Sequence, residues 1–260
     1  MFITDQIGRQ LEFLTIPVRI ISLVPSQTEL LIDMGLEGYL VGVTKFCVHP
    51  DHIRKSTPVV GGTKHVHYDK IEALQPDIIL CNKEENTKEI VETLSQNYTV
   101  HVSDIFTIRD SLELIIQYGE IFDKKKKAAQ LVKGIETEVE SFKEFVIHKP
   151  LKKVAYFIWR KPWMVAAGNT FINHLLQMNG FVNIFESKNR YPELDKETIS
   201  EVDIDLIMLS SEPFPFAEKH IKELKQLVPE TTEIKLVDGE FFSWYGSRLL
   251  GAFEYFKKLH

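Results

Sequence analysis

Two stretches of this chain, "YDKIEALQPDIILCNKE" and "KETISEVDIDLIMLSSE", align without a gap when Asp77 is placed on Asp205. Ile71 then meets Ile199 and Leu74 meets Val202, while acids match at both ends, Asp69 with Glu197 and Glu84 with Glu212. Any helix followed by a buried strand needs the apolar matches. It does not need the paired acids, and these make duplication of a helix–strand unit the better reading. A chain that carries such a unit twice is held to two α/β halves of the same kind.

The surrounding pattern agrees. Residues 19–24, "RIISLV", read as a strand, and Ser26 and Glu29 have capping-box spacing, which predicts that Ser26 caps a helix carrying Leu30, Leu31 and Met34 until Gly35 stops it. A strand "YLVGVTKF", a polar loop from Cys47 to Tyr68, a helix "DKIEALQ" and a strand "DIILCN" follow. Short apolar runs alternating with helical patterns argue for parallel sheets flanked by helices. From Ile108 to His148 there is no proline, and Leu131, Ile135, Val139, Phe142 and Val146 form one apolar stripe, so one long helix is expected, ended by Pro150. The run "KKVAYFIW" opens the second half. The expected fold is therefore α/β: two lobes with mainly parallel sheets flanked by helices, joined by one long interlobe helix. Its divisions are an N-terminal lobe over 1–107, an interlobe helical segment over 108–149 and a C-terminal lobe over 150–260.

At 260 residues, 44% hydrophobic and 26% charged, the chain can bury a sizeable core. A formal net charge of -6 argues against a nucleic-acid partner, because a phosphate footprint needs clustered excess Lys and Arg; the run Lys124 to Lys127 reads as a solvated helix face. Cys47 and Cys81 have no CxxC spacing and read as reduced packing residues. No run is long enough to span a bilayer as a helix, so the protein is not expected to be membrane-embedded, and a monomer is expected. The N-terminus shows no secretory leader, which leaves two localisations open: cytoplasmic if Met1 is the native start, periplasmic or cell-surface if a leader has been lost.

In open parallel sheets ligands bind outside the carboxyl ends of the strands. Six loops hold that position: "PSQTE", "KFCVHP", "KEEN", "RKPW", "SSEPFPF" and the aromatic "GEFFSWYGSR" near the chain end, which two lobes would bring to a common cleft. Trp163, Trp244 and Tyr245 suit stacking on a flat macrocycle or catecholate. Packing is their alternative role. Arg160 and Arg248 suit carboxylates or an anionic chelate, with salt bridges to Glu84, Glu85 or Glu212 as the alternative. His49, His65, His67 and His101 are the imidazoles available to a bare transition metal, but beyond "HVH" they lack a tight arrangement with acids, and His49, His65 and His67 stand as weak metal candidates only. No GxSxG elbow or partnered serine points to an enzyme, and Glu84 and Glu212 are better read as a duplicated position than as an acid–base pair.

The stretches "RIISLVPSQTELLIDMGL", "VGVTKF", "IEALQPDIIL", "GNTFINHLLQMNGFVNIF" and "GEFFSWYGSRLLGAF" resemble the substrate-binding proteins of ABC importers for metal chelates, the type with one rigid interlobe helix, over nearly the whole chain. The resemblance implies a bound chelate or corrinoid as ligand rather than a covalent cofactor, an ABC permease as partner, and no catalysis. The cleft aromatics of the cobalamin-binding member fall on Phe46, Thr63, Asn82, Trp163 and Tyr191, of which Thr63 and Asn82 are not aromatic here. In exchange this chain brings Lys45, Lys64, Glu84, Glu85, Arg160 and Glu212. The same resemblance places the permease-docking acids on Asp69 and Glu197, the pair that the internal repeat also matches. Two other readings stay open: a leaderless cytoplasmic binding or sensing relative, or an enzyme of the same fold; and a binder of free metal ions.

Overall fold

The computed structural model describes residues 1–260, which divide into two compact units, one of Met1–Thr137 with Trp244–Leu250 and one of Glu138–Ser243 with Gly251–His260. The first begins with an antiparallel pair, β1 (Phe2–Thr4) and β2 (Gln10–Glu12). It continues through β3 (Ile20–Ser22), α1 (Pro25–Asp33), β4 (Leu40–Val43), α2 (Ile53–Ser56), α3 (Tyr68–Leu74), β5 (Ile78–Asn82), α4 (Lys88–Leu94), β6 (Val100–Ser103) and α5 (Ile108–Ile121). Its four-stranded sheet is all parallel, in the order β4-β3-β5-β6. The continuous apolar run "IILC" of β5 is buried throughout, as expected of a strand covered on both faces.

Helix α6 (Lys125–Val146) is shared, its residues to Thr137 belonging to the first unit and those from Glu138 to the second. The second unit holds β7 (Lys152–Trp159), β8 (Trp163–Val165), α7 (Phe171–Met178), β9 (Phe181–Asn183), β10 (Glu193–Leu194), α8 (Lys196–Glu201), β11 (Leu206–Ser210), α9 (Glu218–Leu224), β12 (Glu233–Val237) and α10 (Glu240–Ser243). Helix α11 (Leu249–Lys257) closes the chain. The six-stranded sheet runs β10-β8-β7-β11-β12 with β9 also on β7; its β9-β7, β7-β11 and β11-β12 pairs are parallel. The two-lobed α/β fold with mainly parallel sheets is thus the one expected.

The repeat is physical. Helices α3 and α8 and strands β5 and β11 start at aligned residues. Before each strand the aligned aspartate clamps the neighbouring strand: the Asp77 carboxylate accepts from the backbone N–H of Val18 and Arg19 at 2.8 and 2.9 Å, and that of Asp205 from Lys153 N–H at 2.7 Å. After each strand the last side chain caps the loop. Asn82 Oδ1 accepts from Glu84 N–H at 2.9 Å, and Ser210 Oγ from Glu212 N–H at 3.3 Å.

Two local expectations are corrected. Helix α1 starts at Pro25 with Val24 as its N-cap and no side-chain cap; Ser26 lies inside the helix and is buried. Proline at the first helical position already removes one orphan N–H and presets φ, so a capping side chain is not needed there. The helical run from Ile108 is two helices, not one. Thr107 and Asp110 form a true capping box on α5, and Asp123, at φ +53°, breaks the run before α6. The chain turns there because a short polar side chain tolerates the left-handed region, with Lys124 N–H reaching back to Gly119 C=O at 2.8 Å. Gly119 permits the crossing, since a Cβ on it would stand 2.5 Å from Ala128 Cβ. The apolar stripe itself belongs to α6, where Leu131, Ile135 and Phe142 are buried.

Candidate ligand-binding site

In the first unit the loops after β4 and β5 meet. Lys45 N–H donates to Gly61 C=O at 2.8 Å, its ammonium stands 5.0 Å from the centre of the Phe46 ring, and Phe46 is 48% exposed. The Lys64 ammonium donates to the Glu84 backbone C=O at 2.6 Å, and Asn86 Nδ2 to Thr63 C=O at 2.9 Å. Lys45, Phe46, Lys64 and Glu84 are therefore neighbours at the carboxyl ends of parallel strands, beside half-buried Glu85. Asn82 and Thr63 are buried, and Asn82 is engaged with Ser103.

The aromatic stretch near the chain end is not one loop but is divided between the units, Gly239–Ser243 in the second and Trp244–Leu250 in the first. Within the first unit Tyr245 is pinned by a buried polar cluster. Gln27 Nε2 donates to Ser103 Oγ at 2.7 Å and to the Tyr245 hydroxyl at 2.9 Å, while Gln27 Oε1 accepts from Tyr118 at 2.6 Å. Burial raises the Tyr245 hydroxyl well above the phenol range, against the opposing hydrogen bonds of Ser103 and Gln27. Gly246, at φ +89° and packed on Leu30, makes the turn that lets the segment lie here. Beyond it the Arg248 fork grips Glu29 of α1 at 2.8 and 2.9 Å, and its guanidinium carbon stands 4.8 Å from the Trp244 ring centre. The ring of Trp244 meets that of His49 edge-on at 5.4 Å. Desolvation raises the Glu29 carboxyl, and Arg248 pulls it back.

The second unit builds a similar set from other elements. Arg160, at the end of β7, forks onto Glu223 of α9, with Nε to Oε2 at 3.0 Å, and lies over the Trp163 ring at 4.3 Å. Glu223, not Glu84, Glu85 or Glu212, is thus the partner of Arg160, and the fork lowers the Glu223 carboxyl. Trp163 is 4% exposed, lies parallel to Phe216 at 6.1 Å within the core, and its buried Nε1–H has no acceptor. Tyr191 is half-buried, with Arg190 over its ring at 5.7 Å. Glu212 accepts from Ser243 Oγ at 2.5 Å, and Gly239 packs so closely that a Cβ there would stand 2.3 Å from Ser210 Oγ.

The first-half histidines do not assemble. His65 and His67 are exposed, His49 lies against Trp244, and His101 is buried with Nε2 on Gln117 Oε1 at 2.8 Å, its pKa lowered by burial. No three His, Cys, Asp or Glu side chains come together to hold a metal ion. No helix is long and apolar enough to cross a membrane. Gln27 and Glu223 lie outside the residues that sequence patterns single out. Glu29 was hidden by its capping-box spacing, while Glu223 in "HIKELKQL" carries no local signal at all.

The model of the periplasmic binding protein family matches residues 20–235. An uncharacterized ABC transporter substrate-binding lipoprotein of Bacillus subtilis is 27% identical over 203 residues, 74% of this chain and 63% of that protein. A vitamin B12-binding protein of Vibrio campbellii is 28% identical over 188 residues, 70% of this chain and 66% of that protein. The chain therefore spans slightly less than two thirds of the length of these relatives. Among solved structures, the periplasmic vitamin B12-binding protein of Vibrio cholerae gives a TM-score of 0.81 at 19% identity, covering 94% of this chain and 98% of that one. A periplasmic haem-binding protein of Pseudomonas aeruginosa gives 0.82 at 18% identity, covering 94% and 92%. At such identities the structural likeness is one of fold.

Proposed function

The chain belongs to the periplasmic binding protein family, and we propose that it is the substrate-binding component of an ABC importer, capturing a metal chelate of siderophore, haem or corrinoid type and delivering it to a permease. One observation carries this reading: the family match runs through both copies of the repeat, and relatives 27% and 28% identical to this chain are named for substrate binding in ABC transport and for vitamin B12. The geometry supports it. Each unit sets charged side chains at the carboxyl ends of parallel strands, Lys45 and Glu84 after β4 and β5 in one, with the Phe46 ring beside them, and Arg160 and Glu212 after β7 and β11 in the other. The ring supplies a face for a flat or conjugated ligand, and the charges select among its polar edges. The task is capture and release; no bond of the ligand is made or broken.

Asp69 and Glu197 are exposed, equivalent in the repeat, and lie in the first turns of α3 and α8. There a carboxylate already gains from the helix dipole, so helix stabilisation alone would explain each. Their pairing fits a permease with two-fold related subunits, for which one acid per unit orients docking. The double variant Asp69→Lys, Glu197→Lys should keep chelate affinity and lose salt-sensitive association with the cognate permease in vesicles. A double reversal that docks and supports uptake like the parent contradicts these docking residues; a parent that no permease binds contradicts the transport reading.

A further inference from the structure

Within the second unit, a cavity of about 490 Å³ is lined by Arg160, Lys161, Phe214, Lys219, His220 and Glu223. Its lining has three basic side chains and one carboxylate, and that carboxylate is already committed to the Arg160 fork. Phe214 gives the cavity an aromatic wall, its ring held edge-on to Trp159 at 5.6 Å and to His220 at 5.2 Å. His220 Nδ1 accepts the Ala217 backbone N–H at 2.9 Å, which fixes the ring proton of the neutral imidazole on Nε2 and leaves that nitrogen a donor. Burial, and next the neighbouring Lys219, lower the pKa of this imidazole. Lys161 is kept at φ +74°, a region that a lysine rarely adopts, and such strain persists where the surrounding structure imposes it, often at ligand sites.

We propose that this cavity is an anion subsite that takes the carboxylate or phosphate arm of the ligand, with Glu223 as a resident carboxylate holding Arg160 in place until the ligand arm replaces it. The inference rests on the chelate-binding reading and narrows its substrate class to chelates bearing ionised oxygen arms. The planar guanidinium matches two carboxylate or phosphate oxygens at once, while Lys161 and Lys219 add point charges and Phe214 excludes water from one side. Glu223 shows by its own contact that the fork is set for an oxyanion. Because Trp163 lies beneath the guanidinium, Arg160 keeps its plane when the partner changes.

The test is calorimetry on the whole protein at low ionic strength, with citrate and, separately, tripolyphosphate as probes. One site is expected, weakened at least about tenfold in the double variant Lys161→Gly, Lys219→Ala and tightened severalfold in Glu223→Gln, which frees the fork. Glycine at 161 keeps the backbone angle without strain, so loss of binding there reports charge and not misfolding. Preference for citrate assigns the subsite to carboxylate arms and preference for tripolyphosphate to phosphate arms. Absence of binding of both anions to the parent and to Glu223→Gln, or equal binding by the double variant, overturns the subsite. A chelate that binds the double variant as tightly as the parent also overturns it while leaving chelate capture intact; anion binding by a protein that takes no chelate keeps the subsite and removes the chelate reading.

Discussion

Each unit carries an arginine forked onto a glutamate and laid over a tryptophan, yet the two sets are built to different depths. In the first, Arg248 and Glu29 have side chains 11% and 20% exposed, and the indole of Trp244 meets His49. In the second, Arg160 and Glu223 have side chains 16% and 31% exposed; both tryptophans are buried, Trp244 at 7% and Trp163 at 4%, but Trp163 packs in the core cluster against Phe216. Burial decides the sign of the carboxylate shift. Desolvation outweighs the arginine at Glu29 and raises it, whereas the hydrogen-bonded fork outweighs desolvation at Glu223 and lowers it. The same three residue types thus make a more buried clasp in one place and a more open one in the other.

The largest effect that sharpens this contrast falls on the tryptophans. Trp163→Ala should open a core cavity and cost roughly 3–5 kcal/mol in denaturant unfolding of the protein. Trp244→Ala should cost less stability and instead weaken chelate affinity by at least about 1 kcal/mol. Reversed roles, with Trp163 neutral to stability, would break the comparison.

Next come the glutamates. Glu29→Ala removes the carboxylate from a largely buried arginine and should destabilise by about 3 kcal/mol, while Glu223→Ala, at a more open pair, should cost about 1 kcal/mol or less. Equal shifts of the urea midpoint would show that depth does not separate the two pairs.

The smallest effects are slopes with pH. Glu29, raised on folding, contributes stability that is fully present below its unfolded value near 4.5 and is lost as pH rises through the raised value. Glu223, lowered on folding, contributes stability present above 4.5 and lost as pH falls through the lowered value. Relative to the parent, Glu29→Gln should therefore gain stability as pH rises above 4.5, and Glu223→Gln should gain as pH falls below it. A third group lies in the second unit. His260, stacked on Phe181, has its pKa lowered from 6.5 to about 4, mainly by burial, so its contribution is full above 6.5 and is lost on acidification toward 4. His260→Phe should flatten the stability profile between those values; an unchanged slope would assign the acid loss to His101 and His220 instead.

These contrasts also mark what could be read from the chain. The repeat, the parallel strands and the strand-end loops were legible because period, burial and turn chemistry are local properties. Asp77 and Asp205 were the alignment points, and both prove to be strand clamps. The break at Asp123 was not legible, since neither glycine nor proline marks it and the surrounding residues are good helix formers. Nor were the arginine partners. Glu29 lies 219 residues from Arg248 and Glu223 lies 63 from Arg160, and such pairings depend on packing that no local pattern encodes. Tyr245 and Trp163 looked alike in sequence, each a ligand aromatic or a packing residue, yet one is held by hydrogen bonds and the other by ring packing.

The central claim, capture of a metal chelate, is tested most directly by one equilibrium titration of the intact protein, followed by intrinsic tryptophan fluorescence, with cyanocobalamin, haemin and a ferric siderophore set beside zinc and manganese ions. The account predicts that at least one chelate saturates at one per chain with micromolar or tighter affinity and that the bare ions do not. Saturation by zinc or manganese with no response to any chelate would contradict it.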